Sequence, residues 1–184
     1  MIKLNLGCGK DIKEGYINID ILDYGGNQIH DINKFPYPFP DNHFDEIYAS
    51  HVLEHIDNFN KTITELYRIL KPNGTMIVYA PFFLNTKYFG DPDHKIPFSI
   101  RTFDNYEFIG NRKLKFYEKW KLNHRTNYET GAQFEVLEKK FITSHFAALK
   151  WMDFIVNIEP VMYERFFAGI FSPEEVYFKL RAIK

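Results

Sequence analysis

Apolar and polar residues alternate at the start of the chain, and the alternation stops at a pair of glycines. Ile2, Leu4 and Leu6 are separated by polar residues and lead directly into Gly7-Cys8-Gly9. This pattern predicts a short strand that ends in a turn. Glycine in such a turn accepts positive φ and lets a ligand approach the backbone without a Cβ in the way. We therefore expect a ligand to bind where this strand ends.

A second predicted strand, Tyr16–Asp20, ends in an acid eleven residues after Gly9. Residues 10–15 are too few to form a full helix between the two strands, although most nucleotide-binding α/β units have one there. Ligands of open α/β sheets lie beyond the carboxyl ends of the strands, where the glycine turn and Asp20 would meet. A carboxylate at this place can accept hydrogen bonds from both hydroxyls of a ribose. Without a helix, the N–H groups of the turn itself are expected to hold the ligand.

The same alternation rules predict the remaining elements of the chain. Strands are expected over Gln28–Ile32, Phe44–Ala49, Thr75–Ala80, Phe134–Ile142 and Val176–Ala182. Helices are expected over Phe59–Leu70 and Thr102–Ile109, with two short ones in Phe146–Phe171 divided by Pro160. Residues 112–125 are rich in Lys and Arg, which suggests a phosphate-binding patch, but their alternation with apolar residues favours a half-buried strand beside Phe134–Ile142.

Two loops interrupt the pattern. Residues 35–41 alternate three prolines with aromatic residues, which excludes a helix and predicts a loop that packs its aromatics under the sheet. Pro81–Ser99 is a long connection that carries Asp91-Pro92-Asp93-His94. Long loops in compact domains are often functional, and this one leaves the carboxyl end of a predicted strand, although a proline turn with a surface histidine explains the same motif.

Composition narrows the class of protein. The chain has 184 residues, of which 45% are hydrophobic, enough for the core of one domain. The formal net charge of -1 provides no basic field for nucleic acid. The single cysteine, Cys8, excludes an internal disulfide and fits a reducing, cytoplasmic compartment. We expect no signal peptide, because Gly7 and Gly9 interrupt the apolar start, and no membrane span, because no run of about eighteen apolar residues exists.

The run Leu4 to Gly9 and the phrase Gly15 to Asp20 resemble the first motif and the second strand of class I S-adenosylmethionine (SAM) methyltransferases. The phrases Asp41 to Asp45 and Glu65 to Gly74 are similar to the segments that precede strands four and five of that family. The resemblance covers residues 2–99 well and the remainder loosely. It implies a doubly wound α/β sheet of the seven-strand type, parallel for strands one to five and antiparallel at the carboxyl-terminal end, with the amino-terminal helices trimmed.

The resemblance also implies roles for individual residues. Asp31 would accept a hydrogen bond from the adenine amino group and Ile32 would lie beside the adenine ring. The alternative is that Asp31 caps the following turn. Ser50 and His51 would lie beside the methionine part or the sulfur of SAM. The residues expected to bind SAM are Leu6, Gly7, Cys8, Gly9, Asp20, Ile21, Asp31, Ile32, Ser50 and His51. His94 is a candidate general base, because the Asp-Pro-x-His phrase is similar to one in sugar- and small-molecule-type methyltransferases and histidine titrates near neutral pH.

His51, Glu54 and His55 have the H-x-x-E-H spacing of the zinc motif in inverzincin peptidases. That motif requires one continuous helix and a third ligand from another helix. Here it falls at a junction between a strand and a helix, with no third ligand motif in view. We therefore expect no bound metal, and we interpret His55 as a packed, hydrogen-bonded structural residue.

The sequence as a whole predicts a single SAM-dependent methyltransferase domain, with residues 1–80 as the SAM-binding half and 81–184 on the acceptor side. The acceptor would be a small molecule or a sugar, methylated by in-line displacement. A SAM-binding fold without activity, acting as an interaction subunit, is the alternative. A nicotinamide dehydrogenase is disfavoured, because Ile12 stands where its third glycine is needed. The aromatic segment 146–171 is core cover or a surface for homo-oligomers, since it lacks the basic face of a membrane anchor.

Overall fold

The computed structural model describes residues 1–108, 131–143 and 150–184. Its central feature is a sheet of seven strands. The strands are β1 (Lys3–Leu6), β2 (Ile17–Asp20), β3 (Gln28–Ile29), β4 (Phe44–Ser50), β5 (Leu70–Pro81), β6 (Phe134–Ile142) and β7 (Glu175–Ala182). The helices are α1 (Phe59–Ile69), α2 (Thr86–Phe89), a 3₁₀ helix (Asp104–Tyr106), α3 (Trp151–Val156) and α4 (Pro160–Phe166).

The strands lie in the order β3-β2-β1-β4-β5-β7-β6. Strands β1 to β5 pair with one another in parallel, whereas β7 is antiparallel to both β5 and β6. The strand order reverses at β1, so β1 and β4 flank the crevice in which doubly wound sheets bind ligands. The predicted fold class, parallel at first and antiparallel at the carboxyl-terminal end, is confirmed.

The core of the described structure lies against the middle strands. Leu4, Leu6, Ile47, Met76 and Val78 are completely buried, as expected for parallel strands covered on both faces. Helix α1 adds Ile63 and Leu66 to this core. Asn58 caps its first turn, because the Asn58 side chain accepts a hydrogen bond of 3.0 Å from the Lys61 N–H.

The short link between β1 and β2 contains no helix, as predicted. Two buried asparagines, Asn5 and Asn18, hold this link in place by hydrogen bonds. Asn5 Nδ2 donates to Asn18 Oδ1 at 2.9 Å and to the Asp11 carbonyl at 2.8 Å, and the Lys13 N–H donates to Asn18 Oδ1 at 2.9 Å. Buried amides need such partners, so this network fixes the loop that carries the glycine turn.

Three predicted elements differ from the structure. Strand β3 is only two residues long, so His30, Asp31 and Ile32 lie beyond it in a turn. The predicted helix over Thr102–Ile109 is reduced to the single 3₁₀ turn Asp104–Tyr106, with Ile109 outside the described residues. Strand β5 begins at Leu70, five residues before the predicted start at Thr75. Leu70 pairs with Phe44 and Thr75 pairs with Glu46, so Lys71–Gly74 form an irregularity between these two pairs.

Other predictions agree with the structure or lie outside it. Pro160 begins α4 and so divides the aromatic segment into two short helices, as expected. The strand predicted over residues 112–125 lies outside the described residues, and β6 pairs with β7. Among the described helices, none combines the length and the apolar character that crossing a bilayer requires.

Candidate functional site

The glycine turn after β1 and the acid at the end of β2 meet at the carboxyl edge of the sheet. The Gly9 N–H donates a 2.8 Å hydrogen bond to Asp20 Oδ2, and the Leu22 N–H donates at 3.2 Å to Asp20 Oδ1. The Cys8 N–H donates at 3.0 Å to the Ile19 carbonyl. Two N–H groups of the turn are thus paired within the protein, that of Gly9 with Asp20 and that of Cys8 with Ile19. Binding of a ligand by the turn stays a prediction.

The two glycines of the turn are needed for different reasons. Both take positive φ, +59° at Gly7 and +50° at Gly9. A methyl group on Gly7 would lie 2.2 Å from Val52 Cγ2, so Gly7 permits close packing against the segment after β4. A methyl group on Gly9 would meet no protein atom within 4 Å. The backbone of Gly9 therefore faces open space, which a ligand can approach.

Asp20 has unused capacity to bind a ligand. Each of its carboxylate oxygens accepts one of these two backbone N–H groups, whereas a carboxylate offers about four acceptor positions. Its side chain is held in place by the turn, so ribose hydroxyls would meet a fixed acceptor. The position of the Asp20 carboxylate is thus compatible with the ribose binding that the sequence predicts.

The other residues predicted to bind the nucleoside of SAM lie at separate places along this edge of the sheet. Asp31 caps a turn, since its Oδ1 accepts the Asn33 N–H at 3.0 Å and its carbonyl accepts the Lys34 N–H at 2.9 Å. Ile32 is partly buried against the core, and Ile21 is exposed. Leu6 and Cys8 are buried, so their side chains belong to the core. An adenine contact by Asp31 and Ile32 stays a prediction.

Ser50 ends β4, and His51 follows it in the left-handed region with φ of +52°. Such backbone conformations are uncommon for residues other than glycine and are concentrated at functional sites. His51 Nε2 lies 3.4 Å from Glu175 Oε1, and His51 Nδ1 lies 3.5 Å from Glu54 Oε1. The carboxylates of Glu175 and Glu54, in that order, raise the pKa of His51 to about 9. His51 is therefore a cation at neutral pH.

Glu54, His55 and His94 form a cluster behind His51, and one ligand atom from each residue lies within 4.8 Å of the others. Glu54 is completely buried. His94 comes from the loop after β5, and its ring centroid lies 4.7 Å from that of His55. No role at this site was predicted for Glu54 or Glu175, because His94 and Glu175 come from distant parts of the chain.

The loop Pro81–Ser99 is fixed to this cluster and to α4. The Glu54 carbonyl accepts the N–H groups of Lys95 at 2.7 Å and Ile96 at 3.0 Å. Glu164 of α4 accepts the Ile100 N–H at 2.8 Å and the Ser99 hydroxyl at 3.1 Å. Burial raises the pKa of Glu164. The loop thus connects the end of β4 to the aromatic helices.

A cavity of about 510 Å³ opens between α3 and α4. Its lining is almost entirely apolar and includes Trp151, Ile155, Met162, Phe167 and Phe171. Several of these side chains are more than half exposed, among them Trp151 at 62% and Phe171 at 56%. Cavities of this size and character accommodate small organic ligands.

Comparison with known proteins shows what this arrangement resembles. Residues 8–78 match the family model described as a methyltransferase domain. The fold is that of a SAM-dependent methyltransferase from Archaeoglobus fulgidus, whose crystal structure superposes with a TM-score of 0.62 at 17% identity, covering 97% of this chain and 85% of that one. Residues 8–78 are thus similar to a methyltransferase domain, and the chain has the fold of a SAM-dependent methyltransferase.

Curated relatives match part of the chain. A ubiquinone/menaquinone biosynthesis C-methyltransferase from Pseudoalteromonas translucida is 30% identical over 105 residues, which is 51% of this chain and 38% of that protein. A sterol 24-C-methyltransferase from Pneumocystis carinii is 38% identical over 58 residues, which is 32% of this chain and 15% of that protein. The chain thus spans less than two fifths of the length of these two relatives.

Proposed function

We propose that this protein transfers a methyl group from SAM to an apolar small-molecule acceptor. The observation that carries the proposal is the pairing of the glycine turn with Asp20. This pairing leaves an open backbone face at Gly9 and a carboxylate held at the tip of β2. A methyltransferase domain and fold surround it. Bound SAM would supply an activated methyl group on a sulfonium.

The protein's part in such a reaction is mainly positioning. The methyl group of a sulfonium already has a good leaving group, so alignment with the acceptor supplies much of the rate enhancement. Asp20 would bind the ribose, and Ser50 and His51 would lie beside the methionine part. The positive charge of His51 would attract the carboxylate of the methionine part of SAM.

His94 as a general base remains a prediction. The Tyr88 carbonyl lies 2.8 Å from His94 Nδ1, and a carbonyl only accepts, so Nδ1 carries the hydrogen. The other ring nitrogen, Nε2, is then the atom that would take a proton from a hydroxyl acceptor. It lies 4.0 Å from Glu54 Oε1 and 3.8 Å from Asp91 Oδ2, and both carboxylates would stabilise the resulting cation.

The apolar cavity between α3 and α4 supports an apolar acceptor over a bare sugar. A sugar would leave its hydroxyls without partners against Trp151, Ile155 and Phe167, and unpaired polar groups are costly to bury. An aromatic or polycyclic body would instead gain from burial. The relatives named for quinone biosynthesis and for sterols fit this choice, and the link through Glu164 attaches the cavity to the loop beside the site.

A panel assay tests the proposal. The full chain would be incubated with methyl-labelled SAM and four acceptor classes, namely phenols, reduced quinones, sterols and sugars, and label would be followed by mass spectrometry. We expect transfer to at least one apolar class and none to sugars. Transfer to sugars alone would contradict the acceptor class, and SAM binding without transfer to any class would favour a non-catalytic binding subunit.

A further inference from the structure

The carboxylate of Glu54 is buried without the partners that a buried charge requires. Glu54 is 0% exposed, and within the described residues neither carboxylate oxygen has a hydrogen-bond partner. The imidazole of His51 lies 3.5 Å from Oε1 and also faces Glu175. Burying an ionised carboxylate is expensive unless it is paired or coordinates a metal. Glu54 thus offers two unpartnered carboxylate oxygens within this cluster.

His94 directs the lone pair of a ring nitrogen toward Glu54. The hydrogen bond to the Tyr88 carbonyl fixes the proton of His94 on Nδ1. Nε2 then carries a lone pair, and this atom lies 4.0 Å from Glu54 Oε1. A lone pair facing a carboxylate is repulsive unless a proton or a metal ion lies between them. His94 is mostly buried, with 9% of its side chain exposed, so little water is available to separate the two groups.

His55 has the same arrangement on the other side. Its Nδ1 lies 3.3 Å from the Asp93 carbonyl, which again favours a proton on Nδ1 and a lone pair on Nε2. Metal-binding histidines almost always donate their second ring N–H to a carbonyl or a carboxylate, which fixes the tautomer and the ring orientation. In this cluster both histidines meet that condition, and both carbonyls belong to the same loop.

We propose that Glu54, His55 and His94 bind a first-row divalent transition-metal ion. Two imidazoles and one carboxylate form a ligand set that suits zinc and iron(II), and such three-ligand sites leave coordination positions open. Ligands about 2.1 Å from a tetrahedral metal lie about 3.4 Å apart. The present separations of up to 4.8 Å therefore need only small side-chain movements to close around an ion.

This site differs from the peptidase motif considered for the sequence. The H-x-x-E-H motif uses both histidines of one helix, whereas residues 51–56 are not helical here. His51 is outside the cluster, and its Nε2 faces Glu175 at 3.4 Å. The expectation of no metal rested on the missing third ligand. His94 supplies that ligand from a loop almost forty residues away, where sequence spacing cannot reveal it.

The ion would serve the acceptor, an inference that rests on the proposed function. Open coordination positions at the carboxyl edge of the sheet would bind an oxygen of the acceptor and lower its pKa. Metal binding and proton transfer would use the same lone pair on His94 Nε2, so the two roles exclude each other. The metal content of the protein decides between them.

Metal titration of the chelator-treated full chain, without SAM or acceptor, tests the site. Co²⁺ would be followed by its visible absorption and Zn²⁺ by calorimetry. We expect one ion per chain, and Glu54→Gln, His55→Gln and His94→Gln should each weaken binding by at least about 100-fold, the upper end for losing a residue that only supports a ligand. His43→Gln is the matched control, because His43 precedes β4 and lies at the opposite end of that strand.

Folding of each variant would be checked by thermal unfolding. Glu54→Gln preserves shape and removes a buried charge, so it should remain folded. The absence of stoichiometric binding by the wild type would overturn the proposal, as would binding that the three variants leave unchanged. Methyl transfer and SAM affinity do not enter this measurement, so its failure would leave the proposed function standing.

Discussion

At the scale of single residues, the structure separates two glycines that look alike in the sequence. Gly7→Ala places a methyl group on Val52, whereas Gly9→Ala meets open space, and both bear a similar φ penalty. Overpacking costs about 1–3 kcal/mol, so we expect Gly7→Ala to destabilise the protein by that much more than Gly9→Ala. Denaturant unfolding of both variants measures the difference.

A second substitution tests the cause. Val52→Ala removes Cγ2, which would lie 2.2 Å from the new methyl group, but keeps Cβ at 2.7 Å, so the double variant Gly7→Ala/Val52→Ala should recover part of the difference relative to Val52→Ala alone. A double variant that is no better than the sum of the two single variants would show that Val52 is not the obstacle.

His51 provides a prediction about pH. Its pKa is about 9 in the folded protein, above its usual 6.5, so protonation stabilises the fold. This contribution is complete below about pH 6.5 and disappears as the pH rises through 9. The thermal midpoint of the wild type should therefore exceed that of His51→Gln most at pH 6, and the difference should shrink toward pH 9.5. A constant difference across this range would argue against the ion pairs with Glu175 and Glu54.

Sequence reasoning identified residues at this scale when local pattern was enough. Asp20 was predicted correctly at a strand end beside the glycine turn, because both features are adjacent in the pattern. Glu175 was not predicted, because it meets His51 only after β7 pairs with β5. Asp31 was predicted to end a strand, but its side chain caps a turn, and Asp suits either place.

At the scale of elements, the lining of the cavity between α3 and α4 can be tested as the binding site of the acceptor. Ile155 lines the cavity, whereas its neighbour Phe154 is 76% exposed and does not line it. If an apolar acceptor binds there, Ile155→Asn removes an apolar contact worth about 1.5–3 kcal/mol. The acceptor's KM should rise roughly 10-fold or more with kcat nearly unchanged, since the contact is equal in ground and transition states.

Phe154→Ala is the matched control and should leave KM within about twofold, because it removes an exposed ring nearby. Steady-state kinetics with the best acceptor of the panel measures both variants. Equal effects from Ile155→Asn and Phe154→Ala would place the acceptor elsewhere.

Helices were predicted correctly where the hydrophobic period and the capping residue indicated the same bounds. Helix α1 was predicted almost to the residue, because its apolar residues recur with a helical period, and the structure adds the Asn58 cap at its start. The helix expected over Thr102–Ile109 shrank to one 3₁₀ turn. There Phe103 and Tyr106 are buried by tertiary packing with Phe59, which a local pattern does not reveal.

At the scale of the whole molecule, the order of the strands brings the site together. The reversal at β1 places the ends of β1, β2 and β4 side by side, and with them the glycine turn, Asp20 and His51. The family resemblance predicted antiparallel strands at the carboxyl-terminal end but did not predict the order β5-β7-β6. This order places Glu175 and the aromatic helices on the same side as the loop after β5.

The central claim is that this edge of the sheet binds SAM through the glycine turn and Asp20. Calorimetric titration of the full chain with SAM tests it most directly, with Asp20→Ala as the variant and Asp23→Ala, an exposed neighbour that caps a surface turn, as the control. We expect one SAM per chain. Asp20→Ala should lose about 1.5–3 kcal/mol of binding free energy, roughly 10- to 150-fold in Kd, and Asp23→Ala should lose none. A wild type that does not bind SAM, or an Asp20→Ala variant that binds it equally well, would contradict the account.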